Sequence, residues 1–126
     1  MKVVRASEVT EYQAPGQSMR RARILANPEI IGIQKVAVGS ASYGPGMSAP
    51  FHKHAGEEII VVVGGNGKFT SRKEEVEAAT GDLIFFEPGE EHKLENTGSQ
   101  TLRFIFIYTQ PGDEQNLKKN WIPLKS

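Results

Sequence analysis

Three histidines and one glutamate are the side chains of this sequence whose types and spacing suit metal chemistry. His52 and His54 are two residues apart, so on a β-strand their side chains share one face. Glu58 opens the next apolar run, and His92 follows a later turn that contains proline and glycine. Three imidazoles and one carboxylate suit iron, manganese, cobalt, nickel, copper or zinc, and argue against calcium. The pattern predicts that His52, His54, Glu58 and His92 bind one divalent transition metal, whose identity stays open.

The neighbouring Glu57 is the competing carboxylate for this site. Alternation with Ile60 and Val62 places Glu58 on the inward face of its strand and Glu57 toward solvent. Four protein ligands on an octahedral ion would leave two open positions for substrate, dioxygen or water. Such an open site can act as a Lewis acid or a redox centre.

The segments that must position these side chains are predicted to be short β-strands. They are rich in β-branched and aromatic residues, and glycine, proline, asparagine and aspartate separate them. Many short strands at this spacing predict a sandwich or a closed barrel. The predicted strands cover residues 33–38, 51–54, 58–63, 68–72, 76–79, 83–86, 92–96 and 102–109.

Both ends of the chain carry weaker signals. The best helical candidate is 113–120, although its polar composition also suits a surface loop. Trp121, Ile122 and Leu124 are predicted to pack back onto the barrel or onto a partner. The basic cluster at 20–23 is predicted as a solvated segment ahead of the first strands, with an anion-steering patch or a subunit contact as the alternative.

Two stretches around the histidines resemble the motifs of the cupin superfamily. Gly46-x5-His52-x-His54-x3-Glu58-x6-Gly65 matches the first cupin motif at its fixed positions, and Gly81-x7-Gly89-x2-His92-x3-Asn96 resembles the second. One departure lies in the second stretch. Glu87 stands where the family usually has proline, and proline follows one position later, but the spacing from glycine to histidine is intact.

This resemblance implies an all-β fold, the double-stranded β-helix (jelly-roll) barrel of a small single-domain bacterial-type cupin. Residues 1–126 would form one domain, with motif 1 at 46–65, motif 2 at 81–96, an N-terminal arm at 1–30 and a C-terminal tail at 111–126. The length of 126 residues is suited to one domain with its own core.

Composition limits the compartment and the partners. The chain has no cysteine, which excludes disulfides and thiolate metal sites, and its formal net charge is zero. No basic footprint suggests nucleic acid, and no apolar run is long enough for a signal peptide or a membrane span. A soluble, cytoplasmic protein is therefore expected, with neither nucleic acid nor membrane as partner.

The side chains that surround the predicted metal site are inferred from the alternation of inward and outward residues along each strand. If Glu58 faces inward, Ile60 and Val62 face inward with it, and Phe85 and one face of 104–108 are candidates for the remaining wall. Phe51 alternates with the histidines and is predicted to face away from the metal. Alternation does not decide the facing of the polar candidates for substrate contact or catalysis, which are Gln34, Tyr43, Arg103 and Tyr108.

The segment 102–108 has almost no polar face. Such a strand is usually buried on both sides, so its outer side must be covered by another sheet or by a second protein chain. Since cupins commonly dimerise through such faces, the resemblance together with this pattern predicts a homodimer.

Three functions are open. The first is a metal-dependent enzyme, of dioxygenase or decarboxylase type, acting on a small organic acid, enol or aromatic compound. The second is a non-catalytic module that binds or senses a small ligand, and the third is a sugar or sugar-acid isomerase. Because cupins support many activities, the fold does not choose among them.

Overall fold

The computed structural model describes residues 1–124, and β-structure dominates this part of the chain. The strands and helices follow in chain order, after a single 3₁₀ turn at Ala6–Glu8: β1 (Glu11–Ala14), β2 (Gln17–Ala26), α1 (Pro28–Ile31), β3 (Ala37–Tyr43), β4 (Ser48–His52), β5 (Glu58–Gly64), β6 (Asn66–Ser71), β7 (Glu75–Ala79), β8 (Leu83–Phe86), β9 (His92–Glu95), β10 (Leu102–Tyr108), α2 (Gln115–Asn120) and β11 (Ile122–Leu124).

The strands form two antiparallel sheets. The larger sheet has seven strands in the order β11-β1-β2-β3-β10-β5-β8, and the smaller has four in the order β4-β9-β6-β7. The all-β prediction is therefore confirmed. Strands that are neighbours in space are often distant in sequence, so the metal-binding candidates come from both sheets.

The core lies between the two sheets and follows the alternation of β10. Leu102, Phe104 and Phe106 are buried, and Phe69 and Leu94 from the smaller sheet belong to the same cluster. The intervening residues of β10 face outward, because side chains alternate along a strand.

The predicted strand at 33–38 is largely wrong. Gly32 ends α1 in the left-handed conformation, and the strand that follows is β3, beginning at Ala37. Its buried positions include Ala37, Gly39 and Ala41, whose small side chains give little hydrophobic signal. Gly39 must be small, because a Cβ atom there would lie 2.0 Å from the ring of Phe106.

The N-terminal 30 residues contain strands, so the basic cluster at 20–23 does not precede them. It lies inside β2, which pairs with both β1 and β3. The tail packs back onto the larger sheet, as predicted, because β11 pairs with β1. The last two residues of the predicted tail lie outside the described part of the chain. Among residues 1–124, no helix is long and apolar enough to cross a membrane.

Candidate metal centre

The four predicted ligands lie together between the sheets. His52 ends β4, Glu58 begins β5 and His92 begins β9, while one ligand atom from each residue of the set lies within 4.8 Å of the others. His52 pairs directly with His92 across the two strands. His54 lies in the turn after β4 rather than in a strand, so the predicted strand 51–54 ends too late. This cluster can hold a metal ion.

The turn before His92 forms in spite of the shifted proline. The amide of Glu90 donates to the carbonyl of Glu87 at 3.1 Å, and Pro88 and Gly89 occupy the centre of the turn. Gly89 has a φ of 75°, as a type II turn requires at its third position. The Gly89 amide also donates to the carbonyl of His54 at 2.9 Å, which ties the two motifs together.

Each histidine has an acceptor on its Nδ1 atom. The carbonyl of Pro50 lies 2.7 Å from Nδ1 of His52, and the carbonyl of Glu90 lies 2.8 Å from Nδ1 of His92. Nδ1 of His54 lies 3.0 Å from a carboxylate oxygen of Asp113. A neutral imidazole that donates through Nδ1 presents an unprotonated Nε2, which is the form that binds metal.

The Nε2 atoms of His54 and His92 lie so close to the Glu58 carboxylate that a cation could be bound between them. Nε2 of His92 lies 2.8 Å and Nε2 of His54 lies 3.3 Å from the same Glu58 oxygen. A neutral imidazole carries one proton and cannot donate at both nitrogens. The Nε2 of His54 is buried and has no hydrogen-bond partner. A divalent ion would supply the missing partner, so the residues fit a transition metal.

The ionisation of the cluster follows from burial and from mutual contacts. Burial alone would raise the pKa of Glu58, but the close contacts with His54 and His92 outweigh it and lower this pKa. Burial acts to lower the pKa of His54, but contacts with Glu58 and Asp113 raise it overall. The pKa of His52 is lowered by burial and by the charges of the other two histidines. As predicted, Glu58 is buried and Glu57 is exposed.

A cavity of about 440 Å³ opens beside the cluster. Of the four polar candidates, Tyr43 and Tyr108 line it. Burial, followed by the negative charge of Glu58, raises the pKa of the Tyr108 hydroxyl well above its ordinary value, so this hydroxyl stays protonated at neutral pH. Phe51 does not line the cavity; the guanidinium of Arg72 lies over its ring at 3.8 Å.

Three of the predicted residues lie away from the cavity: the polar candidates Gln34 and Arg103 and the wall candidate Phe85. Gln34 is exposed in the segment before β3 and donates to the carbonyl of Gly32. Arg103 points outward from β10. Phe85 is also exposed, and its neighbour Phe86 takes the inward place, stacked on the His92 ring at 3.8 Å.

Other cavity residues were missed in the sequence. Arg20 belonged to the cluster predicted as solvated, and Asp113, Leu117 and Trp121 belong to the polar tail. One signal was available for Arg20: it shares a strand face with Ala22, Ile24 and Ala26, three apolar residues at every second position. The tail offered no such signal, since its residues reach the cavity only through packing.

Comparison with known proteins identifies the family. A model of the cupin domain matches residues 39–108, which include both motifs and all four cluster residues. The chain belongs to the cupin family. Its two antiparallel sheets are those of the jelly-roll barrel that the motifs predicted.

Several relatives of this cupin have descriptive names. An oxalate-binding protein from Thermotoga maritima is 31% identical over 110 residues, which cover 83% of this chain and 91% of the relative. The crystal structure of a predicted oxalate decarboxylase from Thermotoga maritima is 30% identical, with a TM-score of 0.73 over 87% of this chain and 100% of that one. The polyketide cyclase RemF from Streptomyces resistomycificus is 25% identical, with a TM-score of 0.74 over 89% and 82%.

Proposed function

We propose that this cupin is a metal-dependent enzyme of decarboxylase or dioxygenase type that acts on a small organic acid. The observation that carries the proposal is the cluster of three histidines and Glu58, of which His52, His54 and Glu58 line a cavity large enough for a small molecule. The names given to the Thermotoga maritima relative and crystal structure, an oxalate-binding protein and a predicted oxalate decarboxylase, favour an acid as the ligand.

In this proposal His52, His54, Glu58 and His92 hold one divalent transition metal. The bound ion supplies a Lewis acid or a redox centre with open positions for oxygen atoms of the substrate. Glu58 contributes a negative charge and stays ionised at neutral pH, since contacts with His54 and His92 lower its pKa.

In this proposal, side chains of the cavity wall exclude water from the substrate and supply a proton. Leu94, Phe104 and Phe106 exclude water from one wall of the cavity. Tyr108 lies beside His54, with ring centroids 4.5 Å apart, and holds its hydroxyl proton at neutral pH. A decarboxylation leaves a carbanion-like product that must gain a proton. In this proposal the Tyr108 hydroxyl, which lines the cavity, donates that proton and regains one from water.

Elemental analysis of the purified protein tests the metal site first. We expect close to one iron, manganese, cobalt, nickel, copper or zinc ion per chain, and loss of that ion in His92→Ala. Lys93→Ala, one residue along the same strand, is the matched control and should keep the metal. A wild-type protein that binds none of these ions after reconstitution would contradict the proposal.

Incubation of each metal-loaded form with oxalate and related acids separates an enzyme from a binding module. Release of carbon dioxide, or consumption of oxygen matched to loss of the acid, supports the enzyme. An acid that raises the melting temperature but is recovered unchanged supports the non-catalytic alternative, which the name of the oxalate-binding relative also favours. The isomerase alternative and the cytoplasmic location stay predictions.

We also propose that the chain forms a homodimer through the outer face of the larger sheet. Strand register brings apolar side chains of four adjacent strands onto this face. A patch of this kind marks an interaction surface, and a second copy of the same face can cover it across a two-fold axis. We call it the outer apolar face; it consists of Val38, Ile59, Val61, Val63, Leu83, Phe85, Ile105 and Ile107.

A further inference from the structure

A half-buried arginine lines the cavity away from the histidines. Arg20 lies on β2 and pairs with Tyr43 of β3, and Tyr43 in turn pairs with Leu102 at the start of β10. Glu58 pairs with Tyr108 at the other end of β10. The register therefore places the arginine and the metal cluster toward opposite ends of one cavity.

Arg20 is held in place by two aromatic rings. Its Nε donates to the Tyr43 hydroxyl at 3.0 Å, and its guanidinium lies 5.2 Å from the Tyr43 ring centroid and 4.7 Å from that of Trp121. These contacts orient the guanidinium without neutralising it, since a cation over an aromatic face keeps its full charge.

Arg20 forms no ion pair in the described part of the chain, whereas Arg21 and Arg23 on the same strand each form one. Arg21 and Arg23 both form ion pairs with Glu11 on the other side of the sheet, while residues 1–124 contain no carboxylate within 4.0 Å of Arg20. Its hydrogen bond uses Nε alone, so the two terminal nitrogens still offer donors to the cavity.

The Tyr43 hydroxyl adds one more donor at the same place. It accepts from Arg20, so its own proton must be directed to another acceptor. Burial raises the pKa of Tyr43, against the opposing effect of Arg20, and the hydroxyl therefore stays protonated at neutral pH. Arginine and tyrosine together present donors and one positive charge, which is what an oxyanion requires.

We propose that Arg20 and Tyr43, backed by Trp121, form an anion subsite that binds a second carboxylate of the substrate, while its first carboxylate lies at the metal cluster. The preferred substrate is then a dicarboxylic acid with an apolar spacer. This inference rests on the proposed function, because it names the class of acid bound at that site.

The cavity wall between Arg20 and the metal cluster is apolar, which is why an apolar spacer is expected in the substrate. Ala22, Ala41, Phe104 and Phe106 line the cavity and offer only carbon atoms to a ligand. In oxalate the two carboxylates are directly bonded, so one molecule cannot reach both ends. A longer diacid can place methylene groups against these side chains and gain by their burial.

The charge balance of the cavity favours a carboxylate over a phosphate at Arg20. Asp113 and Glu114 also line the cavity, so a doubly charged phosphate would meet more repulsion than a singly charged carboxylate. The planar guanidinium also matches the two oxygens of a carboxylate.

Titration of the zinc-loaded protein with acids of graded length tests the subsite. Trp121 is the only tryptophan in the chain, so intrinsic fluorescence reports directly on the group that backs Arg20. The probes are oxalate, succinate, glutarate and adipate, with butyrate, pentanoate and hexanoate as monoacids matched in carbon number to the last three. We expect one diacid to bind about 10- to 100-fold more tightly than its matched monoacid and to change the Trp121 fluorescence.

Two variants assign the preference to Arg20. Arg20→Gln should abolish the difference between diacid and monoacid and leave metal content and oxalate binding unchanged. Arg21→Gln removes the same charge one residue along, on the outward face, and should keep the preference. Equal binding of diacids and monoacids by the wild type, or a preference that survives in Arg20→Gln, would overturn the subsite. Tighter binding of 3-phosphonopropionate than of succinate would overturn the choice of carboxylate.

Oxalate separates failure of the subsite from failure of the proposed function. It tests the metal end alone, so metal-loaded wild type that does not bind oxalate speaks against the proposed function. In the metal-free protein, the Trp121 fluorescence still reports whether a diacid binds at Arg20. Binding of oxalate without any diacid preference speaks against the subsite only.

Discussion

The orientation of each histidine depends on the acceptor at its Nδ1 atom. For His52 and His92 the acceptors are backbone carbonyls, which no substitution removes. For His54 the acceptor is the carboxylate of Asp113, from a segment 59 residues away. That carboxylate also receives the amide of Ala55 at 3.3 Å, so it holds the whole turn that carries His54.

Asp113→Asn should weaken metal binding about tenfold, because the amide is a poorer acceptor and makes the imidazole a weaker ligand. Zinc affinity measured by competition with a chromophoric chelator checks this. Asp82→Asn is the control, since Asp82 accepts from Ala79 in a turn outside the cavity and should leave the affinity unchanged. Equal affinities for both variants would contradict the orienting role.

Acidification should release the metal. A histidine must be deprotonated to bind a metal, so metal affinity falls as the pH drops, by about tenfold per pH unit for each histidine that protonates. His54 protonates early because Glu58 and Asp113 raise its pKa, while the lowered pKa keeps Glu58 ionised. Metal content after dialysis from pH 8 to pH 4 measures the loss, and content unchanged at pH 4 would contradict the histidine ligands.

At the scale of elements, α2 and the loop before it form one wall of the cavity, and buried polar contacts hold them there. Asn27 caps α1 by accepting from the Ile30 amide, and its side-chain nitrogen donates to Glu114 at 3.1 Å. Glu114 also accepts from the Gly112 amide. Since Asn27 and Glu114 are both almost fully buried, this contact ties the wall to the end of β2.

Asn27→Ala should lower the free energy of unfolding by about 2–3 kcal/mol, because it removes a helix cap and leaves Glu114 with one hydrogen bond fewer. Urea denaturation of the metal-free protein measures the change. Asn120→Ala is the matched control, since Asn120 is exposed at the end of α2 and should stay within about 0.5 kcal/mol of wild type. A loss no larger than that of the control would show that the contact does not stabilise the fold.

At the scale of the whole molecule, the larger sheet has one side in the core and an outer side that is unusually apolar. The inward alternation of β5 and β10 builds the core and the cavity wall, and the same alternation leaves the outer apolar face on the opposite side. In one copy of the chain Val63, Leu83 and Phe85 are each about half exposed. The outer face is therefore the surface that a second copy would bury.

Leu83→Glu should convert a dimer to a monomer at micromolar concentration, because burying an unpaired charge in the interface costs several kcal/mol. Light scattering coupled to size exclusion measures the mass. Val76→Glu, an equally apolar exposed residue on the smaller sheet, is the control and should leave the mass unchanged. A wild type with the mass of a single chain would contradict the homodimer.

The parts of the site that could be predicted are those whose geometry depends on residues close together in the sequence. The His52, His54 and Glu58 spacing and the turn before His92 bring donors to adjoining strand ends. Alternation, together with the three-residue spacing after His54, also separated Glu58 from Glu57. Strands β5, β8 and β10 were predicted within one residue at each end, because β-branched and aromatic side chains mark them directly.

The sequence by itself determined the donor set, the all-β class and the family, because side-chain type, turn residues and alternation are local properties. Only the tertiary structure decided what surrounds the donors. Asp113 reaches His54 and Trp121 reaches Arg20 because the tail folds across the cavity. Phe86 rather than Phe85 stacks on His92 because pairing between β5 and β8 sets the inward face. Such contacts join residues distant in the chain, and their geometry follows from how the sheets pack rather than from any local pattern.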